Sequence, residues 1–218
     1  MVTNEDIKEI EHISMVDVRS HYDSRIEIHK ILKNRLLNGD VQGYVNLALG
    51  IEDPKGNYSA DEYKLGPQIL SESTPSAVFR LAQELFSCHS VTQIPKIIYD
   101  SNITYLKISV GSEMATMLRP DYFWVGNVRT IWASLLIKHK WNYDKADKEL
   151  ELYRDNDILS EMAYPKWRDI YLSLEPNLDK LIAIGNRYAS KVGVKAGKMK
   201  YLWADAIANA LYEYKGDD

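Results

Sequence analysis

Apolar residues recur at spacings of three and four along most of the chain, the period of an α-helix that buries one face. From Val16 to Asn38 the stripe reads Val18, Tyr22, Arg25, His29, Leu32 and Leu36. Asn38-Gly39 ends it, because both residues tolerate the left-handed backbone of a helix stop. Asp40 can cap a short helix holding Tyr44, Leu47 and Ala48. Thr74-Pro75 marks a further start, with a hydroxyl at the N-cap and a proline in the first turn, where an N–H has no helical partner. Val78, Leu81, Ala82, Leu85 and Phe86 then trace a full apolar face. After Asn127 the stripe is Val128, Ile131, Trp132, Leu135 and His139. Residues 143–155 predict a charged surface helix in which Lys145 and Glu149 lie one turn apart. Pro165 opens a helix with Trp167, Ile170, Tyr171 and Leu174 inward, and Pro176-Asn177 resets the chain. The next helix presents Leu178, Leu181, Ile182, Tyr188 and Val192, with Gly185 admitting a close neighbour. The last, from about Lys198 to Tyr214, presents Met199, Trp203, Ala206, Ile207, Ala210 and Tyr214.

Two stretches depart from this rhythm. Residues 50–74 hold GIEDPKGNY, a Ser59-Ala60-Asp61-Glu62 sequence of capping-box form and Gly66-Pro67, and read as loop-rich. In residues 104–110, Leu106, Ile108 and Val110 alternate with polar residues, which suits a half-buried strand or the start of a helix running toward Met117. The expected fold is therefore all-α: one domain over residues 1–218, a helical bundle or orthogonal array of seven to nine helices, with room for one short strand near 104–110.

Composition narrows the class. A 218-residue chain that is 45% hydrophobic and 27% charged can bury a core without metal or disulfide. Cys88, the only cysteine, cannot form an internal disulfide, and the acidic N-terminal MVTNEDIKEIEH has no signal-peptide form. The apolar run Ile131–Ile137 is far short of the ~20 residues that span a bilayer. A cytoplasmic protein without a membrane contact is expected. A net charge of −4 argues against a bulk nucleic-acid coat.

Local charge differs from the total. Lys180 to Ala204 carries Lys180, Arg187, Lys191, Lys195, Lys198 and Lys200 and no acid. Within it, KVGVKAGKMK puts lysines on a glycine-bearing loop between helices, where backbone and ammonium groups can approach a phosphate. The predicted anion contact is Lys191, Lys195, Lys198 and Lys200, and the predicted partner is a phosphate-bearing ligand such as a nucleic-acid backbone. The bland alternative is a solvated loop whose lysines offset acids such as those of residues 144–161. The 15 Tyr and 5 Trp, against 3 Phe, suit partly wet contact surfaces, self-association included. The loop is not a P-loop: three residues rather than four separate Gly193 from Gly197, and Met199 stands where a hydroxyl is required. No dinucleotide fingerprint is present, so no cofactor is expected.

His29 and His139 sit inside apolar stripes, where a histidine serves either as a core residue with one hydrogen bond or as a base. No two histidines have zinc-ligand spacing with cysteine support, so no metal is expected. Arg25, one turn before His29, must find a carboxylate or reach water. Residues 113–139 mix Glu113, Arg119, Asp121, Asn127 and Arg129 with a dense aromatic set. Glu113 with an arginine is either a buried structural ion pair or an acid/base pair tuned by burial. Two functions follow: a non-enzymatic binding protein that uses the lysine loop, or an intracellular hydrolase or nuclease using Glu113, Arg119, Arg129 and His139.

Overall fold

The computed structural model describes residues 2–153 and 163–215. In chain order the helices are α1 (Asn4–Lys8), α2 (Met15–Leu37), α3 (Val41–Ala48), α4 (Tyr58–Glu62), α5 (Leu65–Glu72), α6 (Pro75–Ser87) and α7 (Ile94–Asp100). They continue with α8 (Ile108–Leu118), α9 (Val128–Lys138), α10 (Tyr143–Tyr153), α11 (Ala163–Ser173), α12 (Glu175–Lys191) and α13 (Lys200–Lys215). Short 3-10 turns occupy Pro54–Gly56 and Val91–Gln93. The fold is all-α, with no strand among the described residues. The chain forms two compact units, one of Met1–Asp23 with Val128–Asp218 and one of Ser24–Asn127.

In the unit of residues 24–127 the central element is α8, whose residues from Val110 to Leu118 are all buried; it packs on α4, α6 and α7. In the other unit α9 is buried from Thr130 to Ile137 and is covered by α10, α12 and α13. A helix buried all round belongs at the centre of its unit, and Thr130–Ile137 of α9 carries no charged residue while α8 carries only Glu113. Gly185 lets α12 meet α13: a Cβ there would lie 2.3 Å from Ile207 Cδ1.

The predicted stripe of α2 is buried along its whole length, Arg25 and His29 included. Asp40 caps α3 by accepting the Gly43 N–H at 3.0 Å, and Thr74 caps α6 by accepting the Ala77 N–H at 3.2 Å. Four expectations need correction. Among the described residues the helices number thirteen, because short ones lie where periodicity is too brief to read. Residues 50–74 hold a 3-10 turn, α4 and α5 rather than mainly loop, and α4 is capped by Asn57, not Ser59. Near 104–110 the strand alternative fails and the helix alternative holds: the chain turns at Asn102 and Tyr105, with φ of 49° and 64°, and α8 runs from Ile108 through Met117 to Leu118. At the helix ends, Val192 and Tyr214 are 46% and 43% exposed, beyond the last fully covered turn. The predicted charged helix is α10 as far as Tyr153; its residues 154–155 lie outside the described residues.

Candidate functional site

The lysine segment is held from behind by α2. Gly193 closes α12 at φ +75°, and the Val194 N–H returns to Ala189 O at 2.8 Å, a left-handed stop that satisfies a terminal carbonyl. Arg19 then donates to Lys195 O at 3.0 Å and to Ala196 O at 3.4 Å. Tyr22 Oη accepts the N–H groups of both Lys198 and Met199 at 2.8 Å. Gly197 lies against the Tyr22 ring: a Cβ there would sit 2.7 Å from Tyr22 Cε2 and 2.9 Å from Trp203 Cε3. The expected role of this glycine, close approach to a phosphate, is thus replaced by close approach to aromatic rings. The two amides after it are already engaged, so an anion here must be held by side chains.

Of the four predicted lysines, two are neutralised locally. Lys191 pairs with Glu11, and Lys200 pairs with Asp179 at 2.7 Å while donating to Tyr201 Oη at 2.8 Å. Lys180, on the same acid-free stretch, pairs with Asp6 at 3.0 Å. These acids belong to α1, its flank and α12, not to residues 144–161; residues 154–161 lie outside the described residues. Partly exposed pairs of this kind contribute only ~0–1 kcal/mol, but they reduce the local field. Lys195 and Lys198 are exposed and have no carboxylate partner among the described residues. Arg187 is committed to neutral groups, Val2 O and Asn4 Oδ1, each at 2.9 Å.

Glu113 is in a different situation. Its side chain is 1% exposed and faces Arg25, which is 0% exposed, at 2.7 Å. One carboxylate oxygen also accepts the Tyr58 N–H at 2.9 Å, and the other accepts Ser59 N–H at 3.0 Å and Ser59 Oγ–H at 2.7 Å. Arg25 donates further to the Lys55 carbonyl and lies over the Tyr58 ring at 4.9 Å. Asn57 Nδ2 bonds Val110 O at 3.1 Å, tying the same turn to α8. Ser59 was expected to cap α4; its hydroxyl serves Glu113 instead. Four donors occupy Glu113, which leaves it poorly placed to exchange a proton with a substrate. The geometry is that of a structural ion pair fastening the 53–59 turn between α2 and α8.

The other predicted catalytic residues go to other partners. Arg119 stacks over Tyr122 and donates to the Cys88 carbonyl. Arg129 lies over the Tyr212 ring at 6.0 Å, in the other unit. His139 Nε2 meets Glu149 Oε2 at 2.7 Å, while Lys138 and Tyr153 Oη donate to Glu149 Oε1, the lysine at 2.5 Å. Glu149 thus turns to α9 rather than to Lys145. His29 Nδ1 bonds Met117 O at 2.6 Å, the core-histidine arrangement, and burial pushes its pKa below the ordinary value against that bond. Sequence reasoning missed Arg19 and Tyr22 as supports of the lysine segment and Glu149 as the partner of His139. The contacts of Arg19 and Tyr22 span about 176 residues, a distance that periodicity does not carry.

Glu149 gives a pH prediction. Burial raises its pKa, but the bonds from Lys138, Tyr153 and His139 outweigh that and hold it at about 2, against an ordinary 4.5. In the unfolded chain it protonates as the pH falls through 4.5, whereas the folded chain keeps it ionised to about 2. Its contribution is therefore complete above pH 4.5 and is lost between 4.5 and 2. Glu149→Gln is expected to flatten the acid limb of a stability-versus-pH curve in that window; an unchanged limb would contradict this assignment.

Among the described residues no three His, Cys, Asp or Glu side chains are grouped to hold a metal ion. Among the same residues no helix is long and apolar enough to cross a membrane. Comparison with family models, curated proteins and solved structures finds no match to this chain.

Proposed function

We propose that the chain is a non-catalytic binding protein that contacts a phosphate-bearing partner, the nucleic-acid backbone foremost, through Lys195 and Lys198. The observation that carries this reading is a pair of exposed ammonium groups with no carboxylate partner among the described residues, on a segment held by Tyr22 and Arg19. A backbone held in place loses little freedom on binding, so cations mounted on it act more effectively than the same cations on a free tail. Lys191 and Lys200 take a lesser part, because each must leave a carboxylate first.

The test is a salt titration of binding to a labelled oligonucleotide. Measurable affinity is expected at low salt, falling as salt rises because counterions are released. The double variant Lys195→Ala/Lys198→Ala is expected to weaken binding about tenfold or more and to lower the log–log salt slope by about two. Lys191→Ala and Lys200→Ala are expected to do less. Absence of binding at low salt, or a double variant that binds like the parent, overturns the reading.

A further inference from the structure

We propose that Arg119, His89 and Tyr122 form a second, separate anion site, one that takes an aromatic phosphate monoester. It lies within residues 24–127, whereas the lysine segment belongs to the other unit, so the two readings stand or fall independently.

The case begins with how Arg119 is held. Its guanidinium lies over the Tyr122 ring at 4.3 Å and over the Phe123 ring at 5.6 Å. Nη1 donates to the Cys88 carbonyl and to His89 Nδ1, the latter at 3.2 Å. Those acceptors lie just past the end of α6, about thirty residues earlier, so the guanidinium is clamped between two parts of the fold. Clamping a planar fork in one orientation is what bidentate phosphate recognition needs.

The second point is what remains open. Arg119 has no carboxylate partner among the described residues, and its Nε and Nη2 edge makes no hydrogen bond there. The neighbouring Asp121 is exposed. An arginine can only donate, so His89 Nδ1 must accept and the ring proton sits on Nε2. His89 is exposed, which leaves that N–H as another donor beside the fork.

The third point selects the ligand. Tyr122 is 59% exposed although its ring is stacked on the Arg119 guanidinium, so aromatic surface remains open beside the fork. A bare phosphate uses the donors and leaves the ring wet. An aromatic ester places its phosphate on Arg119 and His89 and covers the Tyr122 ring with its own.

Calorimetric or NMR titration of the full chain with phenyl phosphate, inorganic phosphate and phenol tests this. Phenyl phosphate is expected to bind about fivefold or more tightly than inorganic phosphate, with phenol the weakest. Arg119→Lys keeps the charge but loses the fork, and is expected to weaken both phosphates about tenfold. Tyr122→Leu, at an exposed position, is expected to erase the preference for the aryl ester while leaving inorganic phosphate bound. The Lys195→Ala/Lys198→Ala variant is expected to bind phenyl phosphate like the parent. Phenol binding as well as phenyl phosphate, an aryl preference that survives Tyr122→Leu, or losses confined to the lysine variant each overturn the proposal.

Discussion

Glu113→Ala is expected to lower the stability of the fold by about 3–5 kcal/mol, the usual result of removing one partner of a buried ion pair. The size follows from what is left behind. Arg25, 0% exposed, would keep its charge with only the Lys55 carbonyl and the Tyr58 ring beside it. The N–H groups of Tyr58 and Ser59 and the Ser59 hydroxyl would lose their acceptors together. Each stranded donor costs roughly 1–3 kcal/mol unless water reaches it. The double variant Arg25→Met/Glu113→Leu removes the stranded charge but not the stranded amides, so it is expected to recover only part of the loss. Urea denaturation checks both through the midpoint at unchanged slope. A cost under about 1 kcal/mol for Glu113→Ala would mean that the pair is not closed to water.

Gly197→Ala should destabilise the chain by about 1–3 kcal/mol, as overpacking of a filled contact does. The added methyl would meet the Tyr22 and Trp203 rings at 2.7 to 2.9 Å, and rigid rings cannot retreat as the tip of an aliphatic side chain can. The two rings already brace each other edge to face at 5.5 Å. Relief requires the 194–199 segment to lift, which breaks the bonds from the Lys198 and Met199 amides to Tyr22 Oη. Tyr22→Phe removes those bonds without the steric insult and separates the two contributions. Both variants are expected to weaken oligonucleotide binding more modestly than the double lysine variant, because the ammonium groups remain but lose their fixed mount. Thermal melting and the salt titration measure the two effects on the same protein.

Much of the scaffold was legible from spacing. The α2 stripe placed Arg25 and His29 inside, and the rule that a buried arginine needs a carboxylate demanded a partner for Arg25. The same reading offered Glu113 as a buried acid in need of an arginine. Neither line of reasoning joined the two, because they are 88 residues apart and hydrophobic periodicity holds no information about which helix meets which. The lysine segment shows the opposite failure. Its charges were visible at once, but glycine spacing alone made Gly197 a phosphate contact, and only Tyr22 and Trp203 reveal it as a packing position. The proposed Arg119 site was half visible: Arg119 and Tyr122 are three residues apart, while His89 and the Cys88 carbonyl arrive from another element.

By itself the sequence determined the helical class, the inward face of each long helix and the sites of unbalanced charge, since these follow from local period and composition. Tertiary structure decided which charges are spent. It neutralised Lys180, Lys191 and Lys200 with carboxylates from other parts of the chain, left Lys195 and Lys198 exposed, and enclosed Glu113 within four donors. The reason is that electrostatic pairing depends on distance in space, and a chain is free to bring residues far apart in sequence within 3 Å of each other.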